Sequence, residues 1–302
     1  MTKKMNSNEI SQDDIDVTVI IPTYNWSSVL RCAIASVLAQ TFHNFELLVI
    51  GDHCTDDSAD YVLSLKDNRV HWRNLSANSG SQSEPNNLGL SIARGRYIAY
   101  LGHDDLWHPS HLQRLFARAE AAQTDMVASM SVMLGPPGSG VRVVAGAVNP
   151  GRNALMGPPP PSSLMHRRDM IKDIGGWRDY RLLPAKLPPD HEFIRRAIAA
   201  GKTISATGQL TAFKFNSAWR RDSYKKRAND EQAAYLHRMA TEPDFIEREL
   251  TAIIAAMAFG GASWPQGIPR AEDLPDDAPP GAMVDMWREV RGLPPNQSKA
   301  PD

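Results

Sequence analysis

Short apolar runs alternate with helix-period segments from Val17 to Leu101, and this alternation narrows the possible folds more than any other feature of the chain. Val17–Ile21 is a β-branched run ending at Pro22, and its length and composition predict a buried strand. Val29, Ala33 and Val37, with Leu30, Ile34 and Leu38, have helical spacing, and Ser27 and Ser28 are candidate N-caps. Phe45–Ile50 predicts a second strand, Tyr61, Val62 and Leu65 a helix, and Val70–Trp72 a short third strand. Asn86–Ala93 reads as a helix and Tyr97–Leu101 as a fourth strand, with a further helix starting near Pro109. Such a pattern predicts a mostly parallel sheet with helices on both faces. In sheets of this kind ligands bind beyond the carboxyl ends of the strands. Two polar clusters fall there, Asp52–Ser58 after Ile50 and His103–Asp105 after Leu101.

The second half follows a different pattern. Met126–Leu134 and Val141–Val148 flank a Gly/Pro-rich loop and predict an antiparallel pair. Pro158–Pro161 is rigid and extended, Asp190–Ala200 reads as a helix, and the chain is charged and helical from about Arg220. Phe245, Ile246, Leu250, Ile253, Ile254 and Met257 form one apolar helix face, which packs on its own domain or on a second copy in a homodimer. Residues 1–15 read as a disordered tail and Gly260–Asp302, rich in Pro, Gly and Asp, as loose.

Bulk properties exclude several classes. With 302 residues, 42% of them hydrophobic, the chain can bury a large core without disulfides. A formal charge of -1 argues against a nucleic-acid partner, which calls for a basic excess. Cys32 and Cys54 have no metal-type spacing and make no disulfide framework, so a reducing compartment fits. No apolar run approaches the length of a membrane span, and the N-terminus has no signal-type apolar core, which predicts a cytoplasmic protein. Pro22-Thr-Tyr-Asn-Trp-Ser stands where a dinucleotide-binding fold carries its Gly-x-Gly-x-x-Gly turn, which argues against an oxidoreductase.

Several residues suit chemistry at the strand ends. Asp104 and Asp105 are hard oxygen ligands suited to magnesium or manganese, although an Asp-Asp turn caps a following helix equally well. Asp52 suits hydrogen bonding to a base or ribose, while Asp56 or Asp57 can cap the next helix. Thr23, Tyr24 and Asn25, after Pro22, can line the same crevice or simply turn the chain. Asp190 and Glu192 open a helix, where a carboxylate is favoured electrostatically and can serve as a general base or as a cap. Lys214, Arg220, Arg221 and Lys225 form a basic group that is either a solvated face or a clamp over phosphates.

These pieces together resemble family 2 glycosyltransferases of the GT-A fold. Val17–Asn25 is similar to the family's opening strand; Ser36–Phe42 and Glu46–Ile50 continue it; Asp52–Ser58 resembles the nucleotide loop. Asn86–Leu90 and Ala93–Leu101 resemble the segment leading to the metal motif, where His103-Asp104-Asp105-Leu-Trp107 falls. Gly175–Trp177 and Pro189–Arg196 resemble the acceptor-side segment that carries the base. The resemblance spans roughly residues 16–215 and implies one GT-A unit at 16–219, with a nucleotide-binding half at 16–107 and an acceptor half at 108–219, followed by a helical extension at 220–302. It implies a smaller antiparallel acceptor-side part and inverting transfer from a nucleotide-diphosphate sugar, UDP-linked by default, to a hydroxyl acceptor. It places Pro22, Thr23, Tyr24, Asn25, Asp52, Asn86, His103 and Asp104 at the nucleotide. Asp104 and Asp105 would hold Mn2+ or Mg2+, and Asp190 would be the catalytic base. Four positions depart from the family pattern: Gly51 and Gly102 stand where Asp is usual, Asn86 where Arg is common and Pro189 where Glu is usual. The departures motivate an alternative, a catalytically degenerate protein that binds nucleotide sugars or regulates.

Overall fold

The structure, a computed structural model, describes residues 15–149, 154–261, 264–294 and 296; the expected disordered tail lies almost wholly outside them. Strands β1 (Val17–Thr23), β2 (Phe45–Gly51), β3 (Val70–Asn74) and β4 (Tyr97–Tyr100) alternate with helices α1 (Ser27–Leu38), α2 (Ser58–Ser64) and α3 (Ser83–Ile92). The four strands are mutually parallel in the order β3-β2-β1-β4. From β1 the chain steps outward to β3, then returns to the other side of β1 as β4. That reversal opens a crevice beyond the ends of β1 and β4.

β5 (Leu106–Trp107) and α4 (His111–Ala122) follow, then β6 (Met126–Leu134), β7 (Arg142–Ala145) and the short pair β8 (Ala147–Asn149) and β9 (Ala154–Met156). After β10 (Leu164–Arg167) come α5 (Ile171–Ile174), α6 (Pro189–Ala199) and β11 (Ile204–Lys214). β6 and β7 form the expected antiparallel pair. The sheet continues from β4 through β10, β6 and β11 to β5, with β10 and β5 antiparallel to their neighbours. The antiparallel pairings of β10, β5 and β7 make the smaller antiparallel part that the resemblance implied, continuous with the main sheet. β5 is too short to leave a periodic signal.

Both sheet faces are covered, as the unbroken burial of β1 and β2 requires. Leu30, Ile34 and Val37 of α1, with Leu112 and Leu115 of α4, pack on Val19, Ile21, Leu47 and Val49. On the other face Trp177 stacks on Phe193 of α6 at 4.7 Å and meets Tyr100 edge-on at 5.1 Å. Asn87 ties α3 to this layer by two 2.8 Å bonds to the Trp177 backbone.

α7 (Ser223–Lys226), α8 (Asp230–Thr241) and α9 (Phe245–Ala258) make the charged helical region. Phe245 and Ile253 of α9 are buried beside Phe213 and Phe215, whereas Ile254 and Met257 lie on its exposed side. The described part of Gly260–Asp302 is not loose. It contains a 3-10 turn at Ala271–Asp273 and the helix α10 (Ala282–Val290), whose Met283, Val284, Arg288 and Val290 are buried. Counting Pro and Gly missed α10 because its neighbours Pro279, Pro280, Gly281 and Gly292 bound the helix without interrupting it. Among the described residues no helix is long and apolar enough to cross a membrane.

Two fully buried histidines stay neutral. His166 Nδ1 must donate to the Arg167 carbonyl at 2.8 Å, so Nε2 accepts from Tyr100 Oη at 2.9 Å. Burial holds His166 at about 4, and burial beside Trp107 holds His111 at about 3. Both values lie below the unfolded value of about 6.5, so the unfolded chain binds more protons as pH falls and stability drops below that pH. Lowering pH from about 7 to about 5 should cost about 2 kcal/mol per histidine. The urea midpoint measured at both pH values checks this, and an unchanged midpoint would refute it.

Candidate active site

A cleft of about 630 Å³ opens at the crevice beyond β1 and β4. Pro22, Thr23 and Tyr24 from the end of β1, Asp52 from the end of β2, and His103 and Asp104 after β4 all line it, as does Asp190. Seven of the residues singled out from the sequence are thereby brought to one cavity.

Asp52 organises the side of the cleft beyond β2. Its Oδ1 accepts from Ser79 N at 2.7 Å, and its Oδ2 from Gly80 N at 3.0 Å and Asn78 Nδ2 at 3.1 Å. Burial pushes its carboxyl up, opposed by these bonds and by Arg288. Two of the four lone-pair sites of a carboxylate lie on Oδ1, so one remains for a ligand.

His103 sits in an aromatic box with Trp26 and Tyr224. Tyr24 N donates to Nδ1 at 3.4 Å, which makes Nδ1 an acceptor, and Thr23 Oγ1 lies 2.8 Å from it. Nε2–H therefore donates to Tyr224 Oη at 3.0 Å, leaving the phenol proton free to point elsewhere. Burial pushes His103 below the usual histidine range, consistent with a neutral ring.

Burial alone would push Asp104 up, yet the Lys214 and Arg291 charges, with a hydrogen bond from Ser217, hold its carboxyl below the usual range. An ionised carboxylate on the cleft wall fits a hard divalent cation, which commonly takes one or two protein carboxylates and completes its shell with substrate phosphates. Among the described residues no three His, Cys, Asp or Glu side chains form a metal cluster; Asp104 would hold such an ion as a single carboxylate on the cleft wall, the rest of the shell coming from substrate phosphates and water. Asp105 does not face the cleft. It is fully buried, accepting from Ser162 Oγ at 2.5 Å, Lys214 Nζ at 3.0 Å and Phe215 N at 3.0 Å. Its expected place beside Asp104 as a ligand is corrected, because its oxygens are already committed behind the wall.

Two further expectations are corrected. Asn25 lies off the cleft; its amide oxygen accepts from Thr55 N at 2.7 Å and Asp56 N at 3.2 Å, holding the nucleotide loop. Its φ of 43° is the left-handed turn that Asn tolerates. Asn86 is fully buried off the cleft, and its amide atoms find no partner among the described residues. The capping reading holds for Asp56, which accepts from Ser27 N at 3.0 Å and Ser58 N at 3.2 Å at the starts of α1 and α2.

Asp190 stands in the first turn of α6, after Pro188 at the N-cap and Pro189 at the first helical position, where proline's fixed φ suits the helix start. Its carboxylate makes no hydrogen bond or ion pair among the described residues. Glu192 is instead committed to Arg196 at 2.9 Å and Arg178 at 3.3 Å. Lys214 lines the cleft, and its charge acts on Asp105, Asp104 and Asp190 together. The rest of the basic group is elsewhere: Arg220 pairs with Glu231 at 2.6 Å and Lys225 with Asp222 at 2.7 Å.

Both glycine departures have a packing cause. A Cβ on Gly102 would lie 2.8 Å from Asp105 Oδ2 and 3.2 Å from Asp104 Oδ1, and one on Gly51 would lie 2.4 Å from Asn74 Oδ1 and 2.8 Å from Trp72. The sequence reading missed Tyr224, Trp264, Trp287, Arg288 and Arg291, all of which line the cleft. They lie far along the chain from the motifs, and only the returning C-terminal segment brings them in.

Residues 18–135 match the family model described as glycosyl transferase family 2. The chain is 34% identical over 114 residues to the poly(ribitol-phosphate) beta-N-acetylglucosaminyltransferase TarP of Staphylococcus aureus (strain N315), covering 37% of this chain and 35% of TarP. The fold resembles S. aureus TarS 1–349 in complex with UDP-GlcNAc, with a TM-score of 0.53 at 20% identity over 92% of this chain and 90% of that one. It also resembles the mannosyltransferase PcManGT of Pyrobaculum calidifontis in complex with GDP-Man and Mn2+, with a TM-score of 0.50 at 17% identity over 82% and 76%. The chain spans well under two thirds of the curated relatives' length, 35% of the first. Its mostly parallel, helix-flanked sheet is of the GT-A type, and residues 18–135 are similar to the family 2 glycosyl transferases.

Proposed function

We infer that the chain is an inverting glycosyltransferase that moves a sugar from a nucleoside-diphosphate sugar to a hydroxyl acceptor. One observation carries the reading: the ionised Asp104 and the unpartnered Asp190 share one cleft, with the Lys214 ammonium acting on both. Thr23, Tyr24 and Asp52 line the side toward the base and ribose, and Asp104 the side toward the diphosphate. Asp190 takes the proton from the acceptor hydroxyl as that oxygen attacks the anomeric carbon. The bond from the anomeric carbon to the diphosphate oxygen breaks on the opposite face, so one displacement inverts the centre. A divalent cation on Asp104, manganese or magnesium, supplies charge neutralisation to the departing diphosphate. The UDP-GlcNAc complex of TarS supports a UDP-sugar donor and the Mn2+ complex of PcManGT supports the cation. The name of TarP supports a polymeric alditol-phosphate acceptor.

Two outcomes test the reading. Titration calorimetry with UDP, GDP and TDP, each with and without Mn2+, should find one nucleotide whose binding tightens with the metal. In Asp104→Asn the metal should no longer tighten it; a metal response equal to wild type would place the cation elsewhere. Asp190→Asn should lower transfer by about 10²- to 10⁴-fold while nucleotide affinity stays within about twofold. Transfer at the wild-type rate in that variant would exclude Asp190 as the base, and no transfer by the wild type to any acceptor would favour the degenerate reading.

A further inference from the structure

The segment beyond the family match supplies the cleft with hydrogen-bond donors that have no acceptor. Trp287, Arg288 and Arg291, from α10 and the residue after it, all line the cleft. Trp287 Nε1, Arg288 Nε and Arg291 Nε are each buried without a partner among the described residues. Arg288 is otherwise anchored, donating through Nη1 to Gly80 O at 2.8 Å and through Nη2 to Pro294 O at 3.1 Å. Arg291 is not anchored: its side chain forms no hydrogen bond or ion pair among the described residues. Its charge acts on Asp104, His103 and Tyr224. A partly buried guanidinium without a partner is costly, and its planar fork suits phosphate oxygens.

Two arginines near the start of β4 are committed elsewhere. Arg94 pairs with the buried Glu46 at 2.8 Å, and Arg96 with Asp16 at 2.8 Å. Asn86 is neutral and off the cleft. The geometry points to Arg291 as the cation that binds the diphosphate of the donor, with the segment at α10 supplying a guanidinium where the family-like region supplies the Lys214 ammonium, already bonded to Asp105. This rests on the reading of the cleft as a nucleotide-sugar site. The donor side is favoured over an acceptor phosphate because Arg291 lines the cleft with Asp104 and His103, and because Arg288 is bonded to the loop that Asp52 holds.

Calorimetry with UDP and with uridine, on wild type, Arg291→Gln, Arg291→Lys and Asp52→Ala, tests the assignment. Arg291→Gln should weaken UDP about tenfold or more, leave uridine within about twofold, and melt at the wild-type temperature. Arg291→Lys should recover part of the loss, because the charge remains without the fork. Wild-type UDP affinity in Arg291→Gln, with Asp52→Ala still impaired, overturns the role of Arg291 and leaves the donor site standing. Equal losses of UDP and uridine in Arg291→Gln overturn a phosphate-specific role. Absence of binding of UDP, GDP and TDP to the wild type overturns the nucleotide-sugar reading itself, and this inference with it.

Discussion

The buried carboxylate of Asp105 is the joint on which the cleft depends. It collects Ser162 Oγ, Lys214 Nζ and Phe215 N from segments 57 or more residues away in sequence. Ser162 Oγ also accepts from Gly102 N at 3.0 Å, so the turn after β4, the entry to β10 and the end of β11 meet at one charge. A charge taken this far out of water is tolerated only with its partners in place, and removing one partner of such a pair typically costs about 3–5 kcal/mol. The pair therefore aims its neighbours more than it adds net stability. Asp104, one residue earlier, is turned to the cleft wall, and Lys214 is held where its charge reaches both candidate reactive carboxylates.

Gly102 follows from the same joint. A carboxylate there would crowd Asp104 and Asp105, adding a third negative charge to a site with one neutralising lysine. The departure from an Asp-x-Asp pattern accompanies the commitment of Asp105 to an internal ion pair. Similarly, Gly51 leaves room for Asn74 and Trp72, and Asn74 Nδ2 then holds the nucleotide loop by donating to Cys54 O at 2.9 Å.

Legibility of the sequence followed the range of the interactions. The β-branched run at Val17, the apolar run at Phe45 and the helix-period spacing from Val29 report local burial, and they located the first half of the fold to within a few residues. Thr23, Asp52, His103 and Asp104 were findable because parallel topology carries strand ends to one edge. Asp105 looked equivalent to Asp104, and only the contact with Lys214, 109 residues away, separates them. Asn86 looked available although Asn87 makes the contact that matters, at Trp177. Tyr224 and Arg291 carry no local signature, since their importance comes from a chain return that composition describes as loose.

That return has a consequence for how the protein comes into being. α10 is bonded to the acceptor-side loop through Gly281 N to Leu183 O and Met283 N to Ala185 O, both at 3.0 Å, and to the donor-side loop through Arg288. Chains tend to fold from the N-terminus as they emerge during synthesis. The parallel half can assemble early, but its cleft stays unroofed until residues 282–296 have left the ribosome. A nascent chain would therefore carry a folded parallel half well before its cleft was roofed, which ties closure of the cleft to the synthesis of α10.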